Sequence, residues 1–375
     1  MDIRRLSAAR VQEIASPMTR LLAAAAALAL LAGCTSAEYY WQGIRGQLDL
    51  LDHAQPIATV LDGASDPVLR RKLERVVAIR NYASSELALP DNLSYRRYAD
   101  LGRRFALWNV FAAPELSLQP RQWCFPVAGC VNYRGYFSEA AARAEAAGLA
   151  AAGDDVHVGG VPAYSTLGYF ADPMLSTFIR YPDVEIARLI FHELAHQVVY
   201  AKGDTVFNES FAVSVEQEGL ARWLAAQNDP ALTAQFASAQ RYRDGFRALI
   251  ERTRATLEAL YASDASIADK RAGKAAAFAR MRADYDALKR EWGGYPAYDQ
   301  WFAQGPNNAS LAAVGLYTRK VPEFAALLAV EGGKLPRFYA RVKALAEMSR
   351  PERDAALAKF APTLSARSAA APASP

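Results

Sequence analysis

The chain has 375 residues, with 43 Lys or Arg against 39 Asp or Glu for a formal charge of +4; 52% are hydrophobic and 22% charged. Such a profile excludes a disordered or collagen-like chain, and so mild a charge balance does not indicate a nucleic-acid binder. The length supplies core for one large domain or two ordinary ones.

Residues 21–33 read LLAAAAALALLAG, an uncharged run preceded by Arg20. As a helix it rises only about 20 Å, short of the roughly 30 Å hydrocarbon core, so residues 1–33 read as a signal peptide rather than a membrane span. A buried Ala/Leu helix is the alternative. The run ends in Leu31-Ala32-Gly33-Cys34, which resembles the bacterial lipobox, whose cysteine is acylated and becomes the new N-terminus. Residues 1–17 are polar for such a leader, and Met18-Thr19-Arg20 begins a compact one, so translation is expected to start at Met18. Thr35 after the cysteine implies, by analogy with Gram-negative lipoproteins, a periplasm-facing outer-membrane lipoprotein held in the lipid by acylated Cys34. Loss of residues 1–33 leaves 39 basic against 37 acidic residues, a nearly neutral chain.

Past the anchor, residues 39–51 (YYWQGIRGQLDLL) and 68–87 (VLRRKLERVVAIRNYASSEL) have helical apolar spacing. Residues 105–116 (FALWNVFAAPEL) read as a strand ending near Pro114, and a second strand-like stretch runs from the QWCFPVAGC loop into VNYRGYF. Cys124 and Cys130 flank Pro126 and Gly129, and in an oxidising compartment they are expected to close a disulfide. A metal pair is the weaker alternative, since no second Cys/His pair lies nearby. Residues 138–153 form an alanine-rich helix ended by Gly153, and 156–170 (VHVGGVPAYSTLGYF) one or two strands. From Val184 the pattern is almost wholly helical: 184–201, ended near Gly203; 207–227; a long hairpin of 231–262 and 266–292 with a solvated charged face; then Asn308–Tyr317, Pro322–Leu328 and Leu335–Ala346. The predicted fold is α+β and predominantly helical, with a small sheet upstream of an active-site helix and a helical C-terminal half. Its parts are an α+β region at 34–183 with the Cys loop and an edge strand, a helical region at 184–362, and a disordered tail at 363–375.

Within the 184–201 helix stands His192-Glu193-Leu194-Ala195-His196. Histidines at i and i+4 project from one helical face, so both imidazoles can reach one Zn²⁺. Glu193 stands beside them, placed to take a proton rather than to ligate. A catalytic zinc needs a third protein ligand, and the next helix offers Glu209 and Glu216. They share a face but lie about 10 Å apart along the axis, so only one can coordinate. Glu216 has the spacing of thermolysin-like gluzincins; Glu209 follows Asn208 in an Asn-Glu pair of the kind those enzymes use.

FHELAHQVVY followed by FNESFAVSVEQEG resembles the family of zinc aminopeptidases predicted among proteobacterial lipoproteins. YYWQGIRGQLDLL, SYRRYADLGRRFALWNVFAAPELSL, CFPVAGC, AYSTLGYFADP and NNASL match it too, so the likeness covers most of residues 38–330. The resemblance implies a zincin-like metallopeptidase core with one zinc per chain, a peptide substrate and aminopeptidase activity. It favours Glu209 as third ligand, with Glu216 holding a histidine N–H and orienting its ring. Glu193 would be the general base, and Tyr164 or Tyr317 would donate to the oxyanion. The strand-like stretch before the active-site helix could take up an extended peptide by strand addition. Asp172 and Glu218 are available to anchor a substrate amine, and His157 reads as structural. Two rival readings are a non-catalytic, zinc-stabilised envelope lipoprotein and a zinc amidase acting on peptidoglycan crosslinks.

Overall fold

The computed structural model describes residues 38–63, 65–125, 129–163, 166–315 and 320–361. The leader with Met18, Cys34, Tyr164, Tyr317 and the tail 363–375 lie outside the described residues. Contacts divide the chain into Met1–Leu48 and Asp49–Pro375. A helix, α1, covers residues 38–52, and no described helix is long and apolar enough to cross a membrane.

The chain from Asp49 is α+β and predominantly helical. It runs β1 (Ala54–Pro56), α2 (Ile57–Gly63), α3 (Pro67–Ser85), β2 (Arg97–Ala99), β3 (Leu107–Pro114), β4 (Trp123–Phe125), β5 (Gly129–Val131), β6 (Arg134–Tyr136), α4 (Glu139–Ala151), β7 (Asp154–Val161) and β8 (Met174–Leu175). Helices then take over: α5 (Asp183–Val198), α6 (Thr205–Gln227), α7 (Pro230–Ala262), α8 (Ile267–Glu291), α9 (Asp299–Ala303), α10 (Asn308–Gly315), α11 (Val321–Val330), α12 (Leu335–Ala346) and α13 (Arg350–Ala358). Side chains that satisfy orphan N–H groups start several of them, as Asp66 does for α3, Ser138 for α4, Asp204 for α6 and Asp229 for α7.

Among the described residues the strands form three small sheets. In the first, β2 pairs antiparallel with β1 and parallel with β8. In the second, β3 is the centre of an antiparallel β6-β3-β7 sheet and is buried along nearly its whole length. The third is the β4–β5 hairpin, in which Cys124 and Cys130 stand opposite and are joined by a disulfide.

One apolar core gathers α3, α5, α6, α11 and α12. A second fills the α7–α8 hairpin, where Phe246 stacks on Tyr298 and Tyr285 on Phe302 at centroid distances of 3.8 and 4.2 Å. The Asn307-Asn308 turn is a clamp between this hairpin and the sheet. Asn307 donates to the Val156 carbonyl, Asn308 donates to the Glu115 carbonyl, and Tyr261 of α7 donates to Asn308.

Two boundaries and three short strands differ from the sequence expectation. The α5 helix ends at Val198, five residues before Gly203, because Val199 turns to extended backbone. The strand expected over 156–170 stops at Val161, and residues 166–169 form a turn. The strands β1, β2 and β8, of two or three residues each, carry no readable alternation.

Candidate metal centre

The site is built on α5. Lys72 and Arg75 of α3 pair with Asp183 in its first turn, where a carboxylate also suits the helix dipole. At the other end Gln197 accepts from Asn92 and donates to Ser94, and that loop is itself held by fully buried Arg80, which donates to the Pro90 and Ser94 carbonyls. Between these fixed ends His192, Glu193 and His196 are buried. The two imidazoles stand edge to face with centroids 4.9 Å apart.

The partner helix α6 is set by its own first turn. Asp204 accepts from Phe207 N–H and is gripped by Arg353 of α13 in a buried pair. Asn208 then holds the loop back to α5 twice: its Oδ1 accepts from Ala201 N–H at 2.7 Å, and its Nδ2 donates to the Ala201 carbonyl at 2.9 Å. The asparagine of the Asn-Glu pair therefore fixes the phase of α6, and the glutamate after it faces α5. Glu209 Oε2 lies 3.3 Å from His192 Nε2, and Oε1 lies 3.7 Å from His196 Nε2. The three donor groups are within 4.8 Å of one another.

Glu216, two turns along α6, faces the opposite nitrogen. Its Oε2 is 3.0 Å from His192 Nδ1 and 3.3 Å from Arg188 Nη1. Arg188 also donates to Glu185 at 2.8 Å, and Arg243 of α7 donates to the other oxygen of Glu185 at 2.7 Å. A chain of alternating charge thus runs from α7 through α5 to His192.

The electrostatics suit a cation. Burial opposes charge on His192, but Glu209 and Glu216, one toward each ring nitrogen, outweigh it and push the pKa up to about 10. Burial pulls His196 down to about 4. Burial works against ionised Glu209 and Glu216, yet the histidines, with Arg188 at Glu216, hold both carboxyls below the usual range. Glu193 goes the other way: burial pushes it up to about 7, against the pull of His192 and with help from Glu209 and Asp172. Glu209 Oε2 is buried and makes no hydrogen bond. A buried carboxylate facing one imidazole nitrogen with each oxygen costs free energy that a shared cation would remove, so these residues fit a metal.

Of the other residues singled out in the sequence, Asp172 lies within electrostatic reach of Glu193, with both carboxylate oxygens engaged by Thr166. Glu218 pairs with Arg222 instead. His157 lies on β7 against Phe111, away from this group of donors. Four residues were not anticipated: Glu185, Arg188, Arg243 and Tyr200. Burial and the nearby Glu209 charge raise the pKa of the Tyr200 phenol, so it stays protonated. Its place just after the HExxH helix was the one available signal.

A family model described as putative aminopeptidase matches residues 38–357. No curated protein and no solved structure matches the chain.

Proposed function

This chain belongs to the family described as putative aminopeptidase, and on that premise we propose that it is a zinc-dependent peptidase, with His192, His196 and Glu209 as the metal ligands. The observation that carries this reading is the convergence of these three donors from two helices, with one Glu209 oxygen buried and without a hydrogen bond. Two imidazoles and a carboxylate suit zinc, and three protein ligands in a zincin-like core leave a position open for chemistry. Bound there, zinc would supply Lewis acidity, lowering the pKa of a water and polarising the scissile carbonyl. Glu193 accepts the proton of the attacking water and hands it to the leaving amine. Burial raises this carboxyl toward neutrality, which suits a group that takes up a proton and returns it. Glu216 takes the Nδ1–H of His192, which leaves the Nε2 lone pair for the metal. Tyr200 joins Tyr164 and Tyr317 as a candidate donor to the developing oxyanion. In the same reading acylated Cys34 anchors the enzyme to the outer membrane, facing the periplasm, where peptides are its substrates.

The test is metal analysis combined with cleavage of two substrate types, aminoacyl-anilides and N-blocked, internally quenched peptides. The wild type is expected to carry one zinc per chain and to cleave the anilides. Glu193→Gln should keep the zinc and lose about 10²–10⁴ in rate. Cleavage of the blocked peptides alone removes the aminopeptidase assignment and leaves the peptidase. Stoichiometric zinc without Glu193-dependent cleavage of either favours a zinc-stabilised binding lipoprotein, and release from crosslinked peptidoglycan fragments alone favours an amidase.

A further inference from the structure

One exposed side of α1 is apolar where a helix that met only water would be polar. Trp41 is 60% exposed, Ile44 and Leu48 52% each, and Tyr40 43%. At 100° per residue these four fill an arc of about 100°, a continuous stripe along the helix. Exposed Asp52, Arg45, Glu38 and Asp49 follow in order on the adjoining arc. Single exposed apolar residues, such as Ile267 on α8 or Val330 on α11, are ordinary. A contiguous stripe of aromatic and aliphatic side chains rimmed by charge marks a surface that something covers.

The sequence places a lipid attachment beside that stripe. Cys34 stands four residues before α1 begins at residue 38. Four residues of fully extended chain span at most about 14 Å. The headgroup layer over the hydrocarbon core is itself roughly 5–8 Å deep. A cysteine whose acyl chains are in the bilayer therefore keeps the first turn of α1 within about 14 Å of its own depth, at the headgroups or just above them, whatever path the tether takes. Resting on the lipid-anchor reading of Cys34, we infer that α1 is an interfacial helix, lying on the bilayer with Trp41, Ile44 and Leu48 in the headgroup–acyl boundary and Tyr40 at its margin. Tryptophan and tyrosine favour that depth, where an apolar ring body and a polar tip are both accommodated. The rim charges are three acids to one base, so apolar burial rather than attraction to anionic lipid holds the helix down. The chain is then held at the membrane by two points, an acyl anchor and a helix.

The test uses the full chain, processed in cells, purified and reconstituted in phosphatidylethanolamine–phosphatidylglycerol vesicles. Mass spectrometry first reads acylation of Cys34. Nitroxide labels at Ile44→Cys and Leu48→Cys are then compared with one at Ile267→Cys for collision with oxygen and with a water-soluble nickel chelate. At positions 44 and 48 nickel collisions should be lost and oxygen collisions should dominate, with the reverse at 267. Acylated protein whose positions 44 and 48 are as open to nickel as 267 overturns the interfacial helix and leaves the anchor standing. Spin–spin broadening between labels at 44 or 48 overturns it in favour of a second copy on the stripe. Protein without acyl mass on Cys34 overturns the anchor and the inference together.

Discussion

His192 has a carboxylate toward each ring nitrogen, and the two carboxylates do different things. Glu209 shares a space with His196, whereas Glu216 occupies the far side of the ring and is itself held by Arg188. Removing the orientation without removing a ligand should weaken the metal site: Glu216→Gln and Arg188→Met are each expected to lower zinc affinity about 10- to 100-fold, read by competition with a chromogenic chelator. Unchanged affinity in both would mean that packing alone positions the ring. The proposed base makes a second prediction. Glu193 must be ionised to accept a proton, and burial raises its pKa to about 7. A divalent cation beside it favours the ionised form, so kcat/KM should fall with decreasing pH on a limb at or below about 7, and Glu193→Gln should remove that limb with the activity. Activity that stays level down to pH 4 would contradict the assignment. The HExxH pair and both glutamates could be picked out in the sequence because helical spacing alone puts them on faces. Glu185, Arg188 and Arg243 could not, since they become neighbours only when α6 and α7 pack beside α5.

Two helices make the centre, so the short link between them decides its geometry. Asn208 holds both polar groups of Ala201, and Gly129 of the disulfide hairpin lies against the same link. Asn208→Ala leaves the buried Ala201 N–H unpaired, at a cost of about 1–3 kcal/mol, while the Ala201 carbonyl keeps its bond from the Asp204 N–H. It should lower the urea midpoint and zinc affinity together; a lower midpoint with unchanged affinity would show that α6 holds its phase without the clamp. Gly129 has φ +77°, and a Cβ there would meet the Gly203 backbone nitrogen at 2.7 Å. Neither obstacle yields to a side-chain rotation, so Gly129→Ala is expected to destabilise the protein by more than the roughly 1 kcal/mol usual for an exposed glycine. The same link explains why α5 was expected to run too far. Val198-Val199-Tyr200-Ala201 continues the apolar spacing, but capture of Ala201 by Asn208 is a long-range contact that local periodicity does not contain. Other boundaries were written locally and went unread. Ser349 and Glu352 form a reciprocal capping box with Pro351 at the start of α13, which is a start signal in four residues. The long α7–α8 hairpin needed no such inference, because two long helical segments joined by a short link allow little else.

In the chain from Asp49, strands β3 and β7 face α7, α9 and α10 over a cleft of about 370 Å³. His157 of β7 lines it together with Phe111, Arg243, Phe246 and Trp301. Arg243 also belongs to the charge chain that ends on His192, so the packing that closes this cleft bears on the metal centre. His157 makes that packing sensitive to acid. Burial lowers its pKa from 6.5 to about 4. In the unfolded chain it takes up a proton as pH falls through about 6.5, whereas in the folded chain it resists until about 4. The unfolded state therefore binds more protons between those values. The stability due to neutral His157 is complete above about 6.5 and is lost as pH falls toward 4. At 1.36 kcal/mol per pH unit the loss is of order 3 kcal/mol. Glutamine at this position keeps a polar group of similar reach and cannot titrate. Urea unfolding of chelator-treated protein at pH 7.5 and 4.5 should thus show a smaller acid loss in His157→Gln than in wild type, because every other titrating group, His196 included, is common to both. Equal losses would place the acid sensitivity elsewhere and show that water reaches His157 through the cleft.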